Sequence, residues 1–331
     1  MELIRDDSSS SGILRSAPMQ RDWISFWASH DEGASLAEAD ITAPILKEKW
    51  RRYFKAIAID ETGCRLLDIA CGKGEVASIA RAVLGLAPTI TCVDYAPSAI
   101  EAIPADAKVD HALVADAADL PFQDAEFNLI VSLYGIEYAG ENAFAEAARV
   151  TAPGGRVRLV THLREGAIWR DCEANRRTAS GILESGVFGA SDETFRVMAR
   201  IRRGEVQPDS LSVPLVEVKK TVPALQAAIA VAPAGSSARA LGERLYTDFS
   251  RIFGRITAYE PQDILNWSAA MKGEIEAYRS RMTAMLDAAL DEAAVVNLSA
   301  KMTEAGLDMA PAEQVISDGD AIAWVLEGSR N

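Results

Sequence analysis

The chain has 331 residues, of which 49% are hydrophobic and 25% charged, a balance typical of globular proteins and far from the composition of disordered ones. Its 34 Lys and Arg face 48 Asp and Glu, a formal net charge of -14, so the surface as a whole repels phosphate backbones and nucleic acid is not the expected partner. Arg176, Arg177, Arg200, Arg202 and Arg203 are the candidates for a local basic patch, and a solvated helix face accounts for them.

In chain order, residues 1–19 carry a run of four serines and little periodicity, which suggests a mobile arm. Trp23, Phe26, Trp27 and His30 then fall at helical spacings, and a second helical stretch covers 41–59 with Trp50, Tyr53 and Phe54. From residue 65 strands and helices alternate. Strands are predicted at 65–70, 89–94, 112–115, 127–133 and 156–161, with helices at 75–84, 97–103 and 143–150, the last followed by a Pro153-Gly154-Gly155 turn. This rhythm implies a parallel sheet covered by helices on both faces.

After His162 strand signals stop for about a hundred residues and helical patterns take over. One stripe runs Ile264, Trp267, Met271, Ile275, Tyr278, Met282 and Met285 at spacings of three or four, the face of a helix packed on a core or on a second subunit. A homodimer through this helical insertion is an arrangement it allows. Two last strands, 310–317 and 321–326, flank an Asp318-Gly319-Asp320 turn. The organisation expected is thus an arm (1–19), N-terminal cap helices (20–60), a core (61–162), a helical substrate cap (163–290) and a return to the core (291–331). Cys64, Cys71, Cys92 and Cys172 lack CxxC spacing and a His partner at zinc-finger distance, so no metal site is expected. Residues 222–240 form the longest nearly uncharged apolar stretch but hold two prolines, a glycine and two serines. With no secretory leader at the start, neither a membrane span nor export is expected, and reduced thiols in the cytoplasm are the simplest assignment.

The chemistry concentrates after the strand that ends at Asp68. Ala70-Cys71-Gly72-Lys73-Gly74 leads into a helix, and glycines there permit unusual dihedrals and close ligand approach beside unpaired helix N–H groups. Gly72-x-Gly74-x-x-Ala77 also satisfies a dinucleotide fingerprint, and Asp94, 22 residues beyond Gly72, could accept ribose hydroxyls in either case. Asp68, four residues before Gly72, could orient a cationic amino group, which a nicotinamide dinucleotide lacks at that point. Asp116-Ala117, in the run 115–122, could accept from an adenine amino group and donate to its ring.

Taken in order, these motifs with Phe127-Asn128-Leu129-Ile130-Val131-Ser132-Leu133 and the Pro-Gly-Gly turn make residues 65–162 resemble the core of class I S-adenosylmethionine-dependent methyltransferases. The match covers about a third of the chain, and Asn128 replaces the Asp common in the fourth strand. The resemblance implies an α/β, Rossmann-like, seven-stranded and mostly parallel sheet, with the helical insertion between strands 5 and 6. It implies S-adenosylmethionine as cofactor and S-adenosylhomocysteine as product. Asp68, Ala70, Cys71, Gly72 and Gly74 would hold the methionine portion, Asp94 and Tyr95 the ribose side, and Asp116 and Ala117 the adenine, with Ser132 and Leu133 beside the cofactor.

Methyl transfer from a sulfonium needs alignment and desolvation above all, and a general base where the acceptor is a hydroxyl. His162, ending the fifth strand where open α/β sheets bind ligands, is the first candidate base. Tyr134, Glu137 and Tyr138 follow the fourth strand and are expected to border the methyl group, or to form a turn beneath a lid. Trp23, Trp27 and His30 are candidates for an aromatic lid over a small-molecule substrate, with Arg52 and Tyr53 as similar cases. The expected activity is O- or N-methylation of a small metabolite. A peptide or protein methyltransferase and a non-catalytic S-adenosylmethionine-binding scaffold are the alternatives.

Overall fold

A computed structural model describes residues 43–57 and 63–331. Trp23, Trp27 and His30 lie outside the described residues. The chain divides into two compact units, one of residues 1–170 with 284–331 and one of residues 171–283.

The first unit is an α/β sandwich around an eight-stranded sheet. Helix α1 (Ala43–Ala56) precedes β1 (Arg65–Ile69), followed by α2 (Glu75–Leu84), β2 (Thr89–Asp94), α3 (Pro97–Glu101), β3 (His111–Val114), β4 (Phe127–Leu133), α4 (Glu141–Val150) and β5 (Thr151–His162). After the insertion come α10 (Glu292–Glu304), β6 (Asp308–Met309), β7 (Glu313–Ser317) and β8 (Asp320–Ser329). The strand order is β3-β2-β1-β4-β5-β8-β6, with β7 also on β8. The pairs among β1 to β5 are parallel and β8 runs antiparallel to β5. Leu67, Ile69, Ile130, Val157 and Leu159 are buried in the sheet, with Phe144, Ala147 and Ala148 of α4 and Val295, Leu298 and Met302 of α10 in the same core.

Two details depart from the sequence expectation. The expected seventh-strand count becomes eight because the sixth strand is split: Pro311 lacks an N–H for the ladder, and the chain pairs with β8 only on either side of it. The Pro-Gly-Gly segment lies within β5 instead of preceding it. There the register against β4 shifts between Phe127 and Leu129, and Gly154 sits at φ 73 as a bulge tied by its N–H to the Arg330 carbonyl (2.7 Å).

The chain leaves the sheet after His162 and returns beside it: the Leu290 N–H donates to the His162 carbonyl and the Arg164 N–H to the Leu290 carbonyl, both at 2.9 Å. An insertion anchored like this leaves the sheet's register intact. The second unit is helical, built on parts of α5 (Ala167–Glu184) and α9 (Pro261–Ala288) with α6 (Val187–Arg202), α7 (Ser212–Ala230) and α8 (Ser237–Gly254) between them. Its core joins Ile182, Phe188, Leu225, Leu245, Phe249, Met271 and Ile275, against which Trp267 and Tyr278 pack. The basic side chains Arg200 and Arg203 lie against Glu205, and Arg202 against Glu260.

Candidate active site

The strand order reverses between β1 and β4, and it is at the carboxyl ends of the strands beside such a reversal that open α/β sheets bind ligands. Asp68 is the penultimate residue of β1. It is 1% exposed, and the one hydrogen bond to its carboxyl among the described residues is from the Ala77 N–H to Oδ2 (3.1 Å). Burial pushes its carboxyl up to about 8, against the pull of that N–H, with Asp94 and Glu75 adding to the rise. An opposite charge close to such a carboxyl would offset the burial and favour its ionised form.

The loop beyond it turns through three left-handed residues, Ala70 (φ 52), Gly72 (φ 53) and Gly74 (φ 72). Glycine is favoured at the latter two because a side chain at such φ is strained. The loop is pinned to β2: Cys71 N–H donates to the Val93 carbonyl (3.0 Å), and Gly72 N–H to Asp94 Oδ2 (2.8 Å). The other carboxylate oxygen of Asp94 accepts the Ala96 N–H (2.9 Å). Burial raises the Asp94 carboxyl while the N–H groups of Ala96, Gly72 and Tyr95 oppose the rise. Tyr95 is half-buried next to it.

β3 brings the third acid into line. The Ala115 N–H donates to the Asp94 carbonyl (3.1 Å), and Asp116 closes the following turn by accepting the Ala118 N–H (2.9 Å). Ala117 is buried in the core of the unit. Asp68, the glycine loop, Asp94 and Asp116 therefore sit at the carboxyl ends of three adjacent parallel strands.

The loop after β4 closes the other side. Ser132 is fully buried and its Oγ accepts the Ile136 N–H (3.2 Å), while Leu133 is half-buried and pairs with Val160. Tyr134 adopts φ 53, and Gly135 lies so close to Ala70 that an added Cβ would come within 2.5 Å of the Ala70 Cβ. The two loops are in contact. A 3-10 turn over Ile136–Ala139 then directs Glu137 inward. Its side chain is fully buried, and Oε1 accepts the His162 backbone N–H (2.9 Å) and lies 2.7 Å from His162 Nδ1. Tyr134 stacks on the imidazole at 4.2 Å and 28°, and Tyr138 meets it edge-on at 5.8 Å. The Tyr134 hydroxyl donates to the Ile322 carbonyl of β8 (3.3 Å).

Glu137 is expected from sequence to border the methyl group or to form a turn beneath a lid, and its side chain contacts His162, 25 residues away. The part played by Ile322 carries no sequence signal, since only its backbone oxygen is used and 188 residues separate it from Tyr134. Arg52 is exposed and paired with Glu48, and Tyr53 lies under the Arg158 guanidinium at 4.6 Å. Among the described residues, no cluster of His, Cys, Asp and Glu has the makings of a metal site. No helix among them is long and apolar enough to cross a membrane.

Residues 67–159 match the family described as Methyltransferase domain. The ubiquinone/menaquinone biosynthesis C-methyltransferase UbiE of Xylella fastidiosa (strain 9a5c) is 30% identical over 139 residues, 39% of this chain and 54% of that protein. The 27-O-demethylrifamycin SV methyltransferase of Amycolatopsis mediterranei (strain S699) is 30% identical over 161 residues, 45% of this chain and 56% of that protein. A crystal structure of geranyl diphosphate C-methyltransferase from Streptomyces coelicolor A3(2) is similar with a TM-score of 0.36 and 17% identity, over 45% of this chain and 66% of that one. The chain spans about half the length of the curated relatives it matches. Residues 67–159, with their glycine loop and ordered acids, are thus the part of the chain that matches a methyltransferase domain.

Proposed function

We propose that the chain is an S-adenosylmethionine-dependent methyltransferase acting on an oxygen or nitrogen of a small molecule. The observation that carries this reading is the cradle at the strand ends: a buried Asp68 with a single N–H partner for its carboxyl among the described residues, next to a loop whose left-handed Gly72 and Gly74 admit close approach of a ligand. In it Asp68 and residues 70–74 would take the methionine portion, the carboxyl of Asp68 facing its ammonium. Asp94, with Tyr95 beside it, would take the ribose hydroxyls, and Asp116 with Ala117 the adenine. Ser132 holds the turn that carries Leu133 and Tyr134. The bound cofactor supplies an activated methyl group on a sulfonium, so the protein's own task is to align the acceptor, exclude water and, for a hydroxyl acceptor, hold its proton.

The family match and the methyltransferases among the similar proteins support the methyl-transfer part of this reading. Calorimetry with S-adenosylhomocysteine tests the cofactor, and absence of binding would overturn the proposal. Purified protein given methyl-labelled S-adenosylmethionine and a metabolite extract tests turnover, with a labelled small-molecule product expected. Label found only on peptides or proteins would reassign the substrate class.

A further inference from the structure

We propose that Glu137 is a positioning residue that fixes the imidazole of His162 with its proton on Nδ1, leaving Nε2 as the general base for an acceptor hydroxyl. The inference rests on the methyltransferase reading and deepens it by naming the acceptor chemistry.

One oxygen of Glu137 meets two donors of the same residue, the backbone N–H of His162 and its Nδ1. With the carboxylate oxygen as acceptor, Nδ1 is the donor, and in a neutral ring that leaves the lone pair on Nε2. Because the two contacts share Oε1, the ring's rotation is fixed against its own backbone. Tyr134 across the face and Tyr138 at the edge hold the plane, and Tyr134 is itself tied to Ile322. Among the described residues Nε2 has no hydrogen-bond partner, and Oε2 of Glu137 is buried without one. A carboxylate behind an imidazole fixes its orientation and tautomer. Such an arrangement is superfluous for an acceptor that is already anionic, such as a carboxylate. It suits a phenolic or enolic hydroxyl, which has to lose its proton during the reaction.

The step balances as follows. The hydroxyl proton passes to Nε2, the oxygen forms a bond to the methyl carbon, the carbon–sulfur bond breaks and the sulfur keeps its electron pair. The imidazolium later returns the proton to solvent. A hydroxyl oxygen is the acceptor that this arrangement suits.

The test begins with nitrogen-15 spectra of the histidine rings in the full chain near neutral pH. His162, identified by its loss in His162→Ala, is expected to carry its proton on Nδ1 in the wild type and to lose that preference in Glu137→Gln. A ring protonated on Nε2 in the wild type would overturn the proposal without any variant having to fold. With labelled S-adenosylmethionine and a small-molecule extract supplemented with catechol and hydroquinone, the label is expected on oxygen. Label on nitrogen, sulfur or carbon, or no transfer at all, would overturn the acceptor assignment. On the acceptor so found, His162→Ala should lower kcat by about 10²-fold and Glu137→Gln by about 10- to 100-fold. Glu137→Asp should recover part of that loss, and the KM for S-adenosylmethionine should hardly move. Unchanged kcat in Glu137→Gln would also refute the role. Calorimetry with S-adenosylhomocysteine separates the two levels: if the wild type fails to bind, the methyltransferase reading falls, while the spectra still report on the pair.

Discussion

Replacing Asp68 with Asn should exchange cofactor affinity for a stability that no longer falls with pH. The carboxyl is raised by burial from 3.8 to about 8 in the folded chain. A group with a raised folded pKa contributes stability that is complete below its unfolded value and is lost as pH climbs through the folded one. Each pH unit between them costs about 1.4 kcal/mol, so the wild type should lose about 3.5 kcal/mol relative to Asp68→Asn between pH 5 and pH 8. Urea unfolding of both proteins at several pH values measures this as a difference of slopes, independent of any constant cost of burying the amide. The ligand side is equally specific. A carboxyl raised to about 8 is mostly protonated at pH 7, so an ammonium group that holds it ionised should release most of a proton on binding. Calorimetry with S-adenosylhomocysteine in phosphate and in Tris reads that release from the difference in apparent enthalpy. Affinity should rise from pH 6 to pH 8 in the wild type, and both the proton release and the pH dependence should vanish in Asp68→Asn. Parallel stability curves for the two proteins, or binding without proton release in the wild type, would refute the reasoning.

Gly135→Ala places a methyl group 2.5 Å from the Ala70 Cβ and 2.7 Å from its carbonyl oxygen, so the two loops have to part. A loss of about 1–3 kcal/mol is expected from overpacking, with weaker S-adenosylhomocysteine binding, and unchanged affinity would show that the contact is dispensable. Arg81 is buried and donates to the carbonyls of Gly85, Pro88 and Lys108 and to Asp110. Arg81→Met strands those acceptors and should cost about 2–4 kcal/mol in urea unfolding. Ile275 is fully buried in the helical unit. Ile275→Ala should destabilise that unit by about 2–5 kcal/mol, read as faster hydrogen exchange within 171–283, and an unaltered exchange pattern there would contradict the packing.

The parallel core was legible because its strands are short apolar runs bounded by polar or glycine turns: Phe127–Leu133 stands in the structure where its alternation with flanking polar residues puts it. The helical fill of 167–288 was equally plain from stripes such as Ile264, Met271 and Ile275, all buried. β5 begins earlier than its pattern suggests, since Pro153, Gly154 and Gly155 carry turn chemistry but here make a bulge held by Arg330 from the far end of the chain. β6 and β7 were merged for the complementary reason, a proline whose effect on pairing depends on which side of the strand faces a neighbour. At the site, the acids Asp68, Asp94 and Asp116 could be picked out by position at strand ends. The pairing of Glu137 with His162 could not, because it joins a loop after β4 to the end of β5 and leaves no periodic trace.

These two halves of the site are mechanically one. The glycine loop after β1 and the Tyr134-Gly135 turn after β4 emerge from neighbouring strands at the point where the sheet's order reverses, and they touch at Ala70 and Gly135. Both contact residues are small, and two residues that are not glycine, Ala70 and Tyr134, are held at positive φ. Conformations of that kind persist only when their surroundings over-determine them. Here the surroundings are the Cys71 bond to β2 on one side and the Tyr134 bonds to Val160 and Ile322 on the other. Any shift that relaxes Tyr134 would also loosen its stacking on His162 and disturb the loop that carries Gly72 and Gly74. The position of the imidazole and the shape of the cradle at Asp68 are thereby coupled through packed backbone, which is why a methyl group at residue 135, distant in sequence from both acids, is expected to register in cofactor affinity.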